Sequence, residues 1–328
     1  MQPDYELSDP PSDGISCVSF APKDPQILCV SGWDKSVRVY DVKNNILRAK
    51  YDHQAPVLST SFGSDDDHVY SGGLDRRLKM YDLNVMKETV LGKHDDAIRV
   101  VDYNHMNNKV ITGSWDKTVR TWDPRSTSAA TTTELPSKVL ALSTASNKIV
   151  VCMSQRQIHI YDVRNMSEVL QQRESSLKFM TRIAKCMPNG EGFASGSIEG
   201  RVAVEFFDPD EKVQSKKYAF KCHRSTSEGF ETVYPVNALA YHPIYGTFAT
   251  GGADGFVSTW DGFNKKKLKQ FQKYPASIAS LAFNSTGTLL AVASSYTFED
   301  GEKDSPPDSV YIRTILDADV KPKSVPAS

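Results

Sequence analysis

The sequence predicts an all-β chain, a seven-bladed β-propeller closed by an N-terminal strand, and three observations carry that expectation. One phrase recurs, as GWDKSVRVYD at 32–41, GLDRRLKMYD at 73–82, GSWDKTVRTWD at 113–123 and GADGFVSTWD at 252–261. Each copy places an Asp seven residues before the Asp of a closing aromatic-Asp pair. The closing aspartates Asp41, Asp82, Asp123 and Asp162 are spaced by 41, 41 and 39 residues, and Asp208 and Asp261 follow after 46 and 53, a period that belongs to four-stranded propeller blades. Side chains also alternate within a copy. In Ser36-Val37-Arg38-Val39-Tyr40 the valines share one face and Arg38 takes the other, which is the period of a half-buried strand.

Taken in order, the blades fall near 13–50, 54–92, 96–132, 137–171, 180–221, 235–273 and 277–316, with the fourth, fifth and seventh degenerate. The last shows only three strands, 278–283, 289–293 and 309–315. An open sheet edge has to be covered, and the otherwise unused segment Asp4 to Leu7 is expected to supply the fourth strand. One domain, 1–316, results, with 317–328 (DADVKPKSVPAS) read as a disordered tail. Residues 209–234 hold the outer strand of blade five plus an insertion, and 298–308 (FEDGEKDSPPD) form an acidic loop inside blade seven.

The first Asp of each phrase (Asp34, Asp75, Asp116, Asp254) sits between two apolar strands, where its carboxylate can accept the amides of a tight turn. His53 and His94 each lie 22 residues before such an Asp, Asp75 and Asp116. WD40-repeat proteins pair a loop histidine with the turn aspartate at that spacing. Blade three also offers Ser114 and Trp122, so a network of His94, Asp116, Ser114 and Trp122 is expected. Blade two has Gly73 and Tyr81 at the matching positions, and its network is expected to be incomplete.

Composition excludes several classes. Thirty-nine Lys and Arg against 40 acids leave a net charge of -1, too little to draw in nucleic acid or an anionic membrane. Five cysteines, odd in number and far apart, suit a reduced intracellular protein and lack zinc-site spacing. No apolar run reaches membrane-spanning length and no leader pattern opens the chain. The seven histidines stand singly, and HExxH, GxSxG and phosphate-loop patterns are missing. No enzyme, cofactor or metal site is expected. Asp65-Asp66-Asp67 reads as a solvated turn, because three consecutive carboxylates cannot converge on one ion. Lys265-Lys266-Lys267 with Lys269 reads as a solvated hairpin turn.

Phrases such as ESSLK, IEGRVAVE and AFKCHR, within QQRESSLKFMTR (171–182), SIEGRVAVEF (197–206) and KKYAFKCHR (216–224), are not demanded by blade geometry, and YDVRNM (161–166) and YPASIASLAF (274–283) accompany them. Over nearly its whole length the chain resembles the spindle-checkpoint WD40 proteins of the Bub family, kinetochore partners of the Bub mitotic kinases. The nuclear-pore mRNA-export WD40 adaptors share the blade plan and form the alternative reading. A propeller enzyme or ligase-substrate receptor is disfavoured by the missing catalytic constellation. The resemblance implies a non-enzymatic scaffold that binds GLEBS segments of the checkpoint kinase and its pseudokinase-like relative. It would carry them to phosphorylated repeats of a kinetochore platform protein, and would join the anaphase-promoting complex within an inhibitory complex. It further implies a nuclear and cytoplasmic protein that reaches the kinetochore in mitosis. Trp33 and Trp115, directly before turn aspartates at one face of the ring, are the expected aromatic anchors. By resemblance Arg182 meets the acidic residues of the GLEBS segment. Arg201 and Arg224 match the family's phosphate-reading positions, where a forked guanidinium suits a phosphothreonine.

Overall fold

A computed structural model describes residues 4–126 and 128–322. The described chain forms seven four-stranded antiparallel sheets and one two-stranded hairpin. Each blade begins on its innermost strand: Ile15–Phe20, Val57–Phe62, Ile98–Asn104, Val139–Ala145, Thr181–Cys186, Val236–Tyr241 and Ile278–Phe283. These seven strands pack side by side around a central channel, the seventh against the first. In blade four the outer strand extends to Glu174, three residues past the expected limit.

Apolar side chains fill the spaces between blades. Tyr51, Val57, Phe62, Val69 and Tyr81 join blades one and two in one cluster. Close approach depends on small residues three positions before the turn aspartates. A Cβ on Gly113 would come within 2.7 Å of Val139, and one on Gly251 within 2.3 Å of Ile278, each on the next blade's inner strand.

The ring is closed by the N-terminus. Tyr5–Glu6 pairs antiparallel with Ser309–Thr314, Tyr5 opposite Ile312 and Glu6 opposite Tyr311. The Leu7 amide donates to Val310 O at 2.8 Å, and the Leu7 side chain is fully buried. Asp4 takes the Arg313 guanidinium at 2.6 Å and the Tyr274 hydroxyl at 2.9 Å.

The opposite terminus corrects an expectation. Residues 317–322 are ordered, not a loose tail: Asp317–Val320 is a helical turn with Asp319 and Val320 buried. Thr247 and Thr259 donate to the Val320 and Asp319 carbonyls, and Lys269 pairs with Asp319. Val320 finds an apolar seat in the cluster of blades six and seven, so the segment has burial to offset its ordering entropy. Lys269 stays exposed but is paired, and Lys266–Gln270 is the outer strand of blade six where a hairpin turn was expected. Residues 323–328 lie outside the described residues.

The segment 209–234 resolves into a short helix, Glu211–Gln214, the outer strand Tyr218–Lys221, and a projecting hairpin of Arg224–Ser227 with Phe230–Val233.

Candidate functional site

One face of the ring is marked by a repeated hydrogen bond. The amides of Trp33, Leu74, Trp115, Ser154, Ile198, Ala253 and Ser295 each donate, at 2.8–3.1 Å, to the carbonyl just before their blade's inner strand or at its threshold. One residue further along every inner strand the pairing register slips. The extra residue is Ser16, Leu58, Arg99, Leu140, Arg182, Asn237 or Ala279. A bulge re-aims the side chain it carries, and all seven line the channel, whose volume is about 360 Å³. The residues just before them, such as Ile98 and Val236, are buried between blades. Seven bulges thus set a ring of seven side chains at the channel mouth.

The structure places Trp33, Trp115 and Arg182 on this face. Trp33 is 47% exposed. Trp115 is half-buried, with the Lys138 ammonium 5.9 Å from its ring centre. Phe179, Met180 and Phe298 are also exposed. Arg182 donates from Nε to Asn237 Oδ1 at 3.3 Å, Asn237 to Thr297 Oγ at 3.2 Å, and Thr297 to Glu299 at 2.6 Å. Burial pushes the Arg182 pKa down, and Glu299 opposes it from a distance. The acidic loop of blade seven therefore reaches the channel mouth through two neutral side chains. Arg99, Asn237 and Glu299 had no signal in the sequence.

Arg201 and Arg224 lie at the side of the ring, where blade five meets the hairpin. Arg201 stands 3.8 Å from Glu199. Arg224 is engaged: it pairs with Glu231 at 2.8 Å and donates to the Glu199 and Gly200 carbonyls at 2.7 and 3.4 Å. Beside it runs a groove of about 590 Å³, which also holds Lys221, Lys267, Lys273, Phe256 and Trp260. Nothing in the sequence indicates that Lys221 and Lys273 meet here, and Lys267 reads there only as part of a solvated turn; the three come from the strands Tyr218–Lys221 and Lys266–Gln270 and from the segment after the latter.

The hydrogen-bond networks differ from expectation in their hydroxyl. In blade three His94 Nδ1 lies 2.8 Å from Asp116 and Nε2 lies 2.7 Å from Thr112 Oγ, which also accepts the Trp122 indole N–H at 2.8 Å. Thr112, not Ser114, holds the centre. Ser114 turns instead to the Ala97 carbonyl at 2.8 Å and receives the Asp116 amide at 3.0 Å. Blade two, expected to be incomplete, joins His53 to Asp75 at 2.9 Å and to Ser71 at 2.8 Å, and Tyr51 takes the indole's place on Ser71 at 2.8 Å. A third network went unread: His223 meets Asp254 at 2.9 Å and Thr250 at 2.8 Å, and Trp260 donates to Thr250 at 2.9 Å. Its signal was a Ser or Thr four residues before the turn Asp, shared by Ser71, Thr112 and Thr250. Burial would raise the Asp116 carboxyl, but bonds from His94 and Thr118 hold it well below the usual range. Burial holds the His94 pKa low against the pull of Asp116. Together these make a neutral imidazole donating to a carboxylate.

The remaining candidates bind neighbouring backbone. Asp66 caps the Lys23 and Asp24 amides at 2.9 Å, whereas Asp65 faces His68. The five cysteines are free. Among the described residues no group of three His, Cys, Asp or Glu could hold a metal, and no helix is long and apolar enough to cross a membrane.

Comparison with known proteins matches the WD domain, G-beta repeat family over residues 2–41, 45–82, 86–123 and 218–261. A solved structure titled "Structure of U3-55K" superimposes with a TM-score of 0.83 over 95% of this chain and 98% of that one, at 18% identity, and so shares the fold. The mitotic checkpoint protein BUB3.1 of Arabidopsis thaliana is 52% identical over 97% of this chain and 94% of its own. The chain belongs to the Bub family of mitotic checkpoint WD40 proteins. Within that family the mitotic checkpoint protein bub3 of Dictyostelium discoideum is 47% identical over 95% of each chain. The poly(A)+ RNA export protein of Schizosaccharomyces pombe is 35% identical over 98% of this chain and 94% of its own. The chain is therefore a Bub-family WD40 scaffold of the spindle checkpoint, and the export proteins are its relatives.

Proposed function

We propose that the chain is a non-catalytic platform that seats a GLEBS segment of the checkpoint kinase or its pseudokinase-like relative across the channel mouth. The observation that carries this reading is Trp33, an indole nearly half exposed on the same rim as the bulge-presented Arg182. An exposed aromatic on the same rim as a half-buried cation supplies what a hot spot needs, a large apolar contact and a charge-assisted bond. Trp115 contributes a second indole, restrained by Lys138.

The phosphorylated repeat of a kinetochore platform protein would dock at the side groove through Arg201 and Arg224. Arg224 and Lys221 both face Glu231. An arriving phosphate, with about -1.5 to -2 charges, would displace that carboxylate, and Lys267 and Lys273 would complete the basic wall. In this reading the protein works in the nucleus and cytoplasm, gathers at the kinetochore in mitosis, and enters the inhibitory complex that meets the anaphase-promoting complex.

Calorimetric titration of a GLEBS peptide into the wild type, Trp33→Ala and Arg182→Ala tests the reading. A loss of tenfold or more in each variant, with melting preserved, supports it. Unchanged affinity in both variants refutes it. Affinity purification from mitotic cells separates the export alternative: nuclear-pore partners without checkpoint kinases would favour an mRNA-export adaptor.

A further inference from the structure

The acidic loop of blade seven carries a hydroxyl that neither the fold nor the docking of a peptide uses. Ser305-Pro306 is the one Ser-Pro pair in the sequence, and no Thr-Pro pair occurs. Residues 300–307 are all exposed. The loop is fastened at both ends. The Asp300 amide donates to the Tyr296 hydroxyl at 2.9 Å, and that hydroxyl donates to the Gly301 carbonyl at 2.8 Å. At the other end Ser309 enters the strand Ser309–Thr314, buried and bonded to Glu6. Between these anchors Ser305, Pro306 and Pro307 make no hydrogen bond to any described residue. Their backbone is held extended, since the residue before a proline is kept out of the helical region and consecutive prolines favour a polyproline II path without internal bonds. An enzyme can therefore draw this segment into a cleft without opening the blade.

We propose that Ser305 is a phosphoacceptor for a proline-directed Ser/Thr kinase, and that its phosphate weakens peptide docking at the channel mouth. The second half rests on the docking reading. A proline lacks the N–H that any other residue would leave unpaired in an apolar pocket, so a kinase site built for it selects Ser305 over every other hydroxyl of the chain. ATP is the co-reactant: Ser305 Oγ attacks its γ-phosphorus, the bond to the β,γ-bridging oxygen breaks, ADP leaves, and the hydroxyl proton passes to the kinase's base. The loop already sets Glu299, Asp300, Glu302, Asp304 and Asp308 against Lys303 alone. It leaves the channel mouth at Thr297, which accepts from Asn237, and returns at Asp308 beside Ser295, whose amide makes that blade's rim bond. A phosphate adds about -1.5 to -2 charges to this rim, and an acidic segment meets the repulsion on approach.

The wild type, Ser305→Ala and Pro306→Ala are incubated with a mitogen-activated protein kinase, magnesium and ATP, and the phosphate is located by mass spectrometry. It is expected at Ser305, at an initial rate within fivefold of that for a free peptide of residues 298–309, because the loop needs no unfolding. Ser305→Ala should take up none, and Pro306→Ala should react at least fivefold more slowly although its hydroxyl stays exposed. Phosphate confined to other residues, a wild-type rate more than fivefold below the peptide's, or a Pro306→Ala rate closer to the wild type overturns the acceptor site. GLEBS-peptide affinity is then measured with and without the phosphate at low and high salt. A loss of threefold or more that narrows as salt screens it supports the regulatory half, and a smaller loss or one that salt leaves unchanged overturns it. Failure of the unphosphorylated protein to bind the peptide is seen before any phosphate is added. That result sinks the docking reading and the regulation with it, while the acceptor site stands or falls on the kinase assay.

Discussion

Replacing Thr112 by Val removes one hydroxyl and almost no volume, so the loss it causes is a loss of hydrogen bonds. Thr112 is fully buried and its oxygen serves both His94 Nε2 and the Trp122 indole, at 2.7 and 2.8 Å. Both of those side chains are buried as well, and neither has another partner for the freed atom. Each orphaned buried group costs about 1–3 kcal/mol, so the substitution should cost about 2–6 kcal/mol. With an unfolding entropy of about 2.1 cal/mol/K per residue, a chain of 328 residues loses about 3–9 °C of melting temperature. Ser114→Ala removes one bond to a rim carbonyl and one from the Asp116 amide and should cost about 1–3 kcal/mol, or about 1–4 °C. Scanning calorimetry of the two variants decides the matter. If Ser114→Ala melts at or below Thr112→Val, the hydroxyl at the centre of the network has been misassigned.

Deleting residues 1–9 should lower the melting temperature by at least 5 °C, because it exposes Leu7's seat and strands Arg313 without Asp4; a melt within one degree of the intact chain would exclude the closing strand. Stability should fall as the pH drops below about 6.5, because His94, His159 and His242 all have pKa values lowered by burial and the unfolded chain takes up protons that the folded one refuses. A second loss should begin as the pH passes below about 3.8 toward the depressed pKa of Asp116; urea titrations from pH 7.5 to 3 with and without His94→Gln would show a flatter first step in the variant. Trp33→Ala should weaken GLEBS binding by about 2 kcal/mol without affecting the melt, whereas Trp115→Ala should also lose some stability, since its ring is half-buried under Lys138. Arg201→Ala with Arg224→Ala should abolish the preference for phosphorylated repeat peptides and spare GLEBS affinity, read by titrating both peptides into the same variant.

Four blades could be read directly, because the Asp turn and the aromatic-Asp pair are local chemistry that survives in the sequence. Blades four, five and seven lack the Asp: blade five keeps the turn itself, with Gly200 at positive φ where the Asp blades place Lys35, Arg76, Lys117 and Gly255, and blade four turns through Gln155 and Arg156, so only the spacing and strand alternation betray them. Alternation also explains the error at Ser114. Thr112 and Ser114 share a face, and only the cross-strand register, Val110 opposite Trp122, brings the indole to Thr112. The blade-six histidine was hidden by the hairpin at 224–233, which separates His223 from Asp254 by 31 residues rather than 22. The ring of bulges was invisible for a different reason. A bulge inserts one residue into the two-residue period, so Arg99 in IRVVDY reads as an ordinary strand side chain and only the paired register shows where it points.

Closure by the first residues has a consequence for how the protein is made. Glu6 meets Ser309 across 303 residues, and Asp4 meets Arg313 across 309. At a synthesis rate of about 5–20 residues per second, the closing strand leaves the ribosome about 15–60 s before its partner exists. During that interval every completed blade can pack on the one before it, but the first blade's flank and the short N-terminal segment wait unpaired. The seam is thus the last part of the ring to form. It joins the N-terminal segment to the strand Ser309–Thr314 in one sheet, so a disturbance of either bears on the same blade.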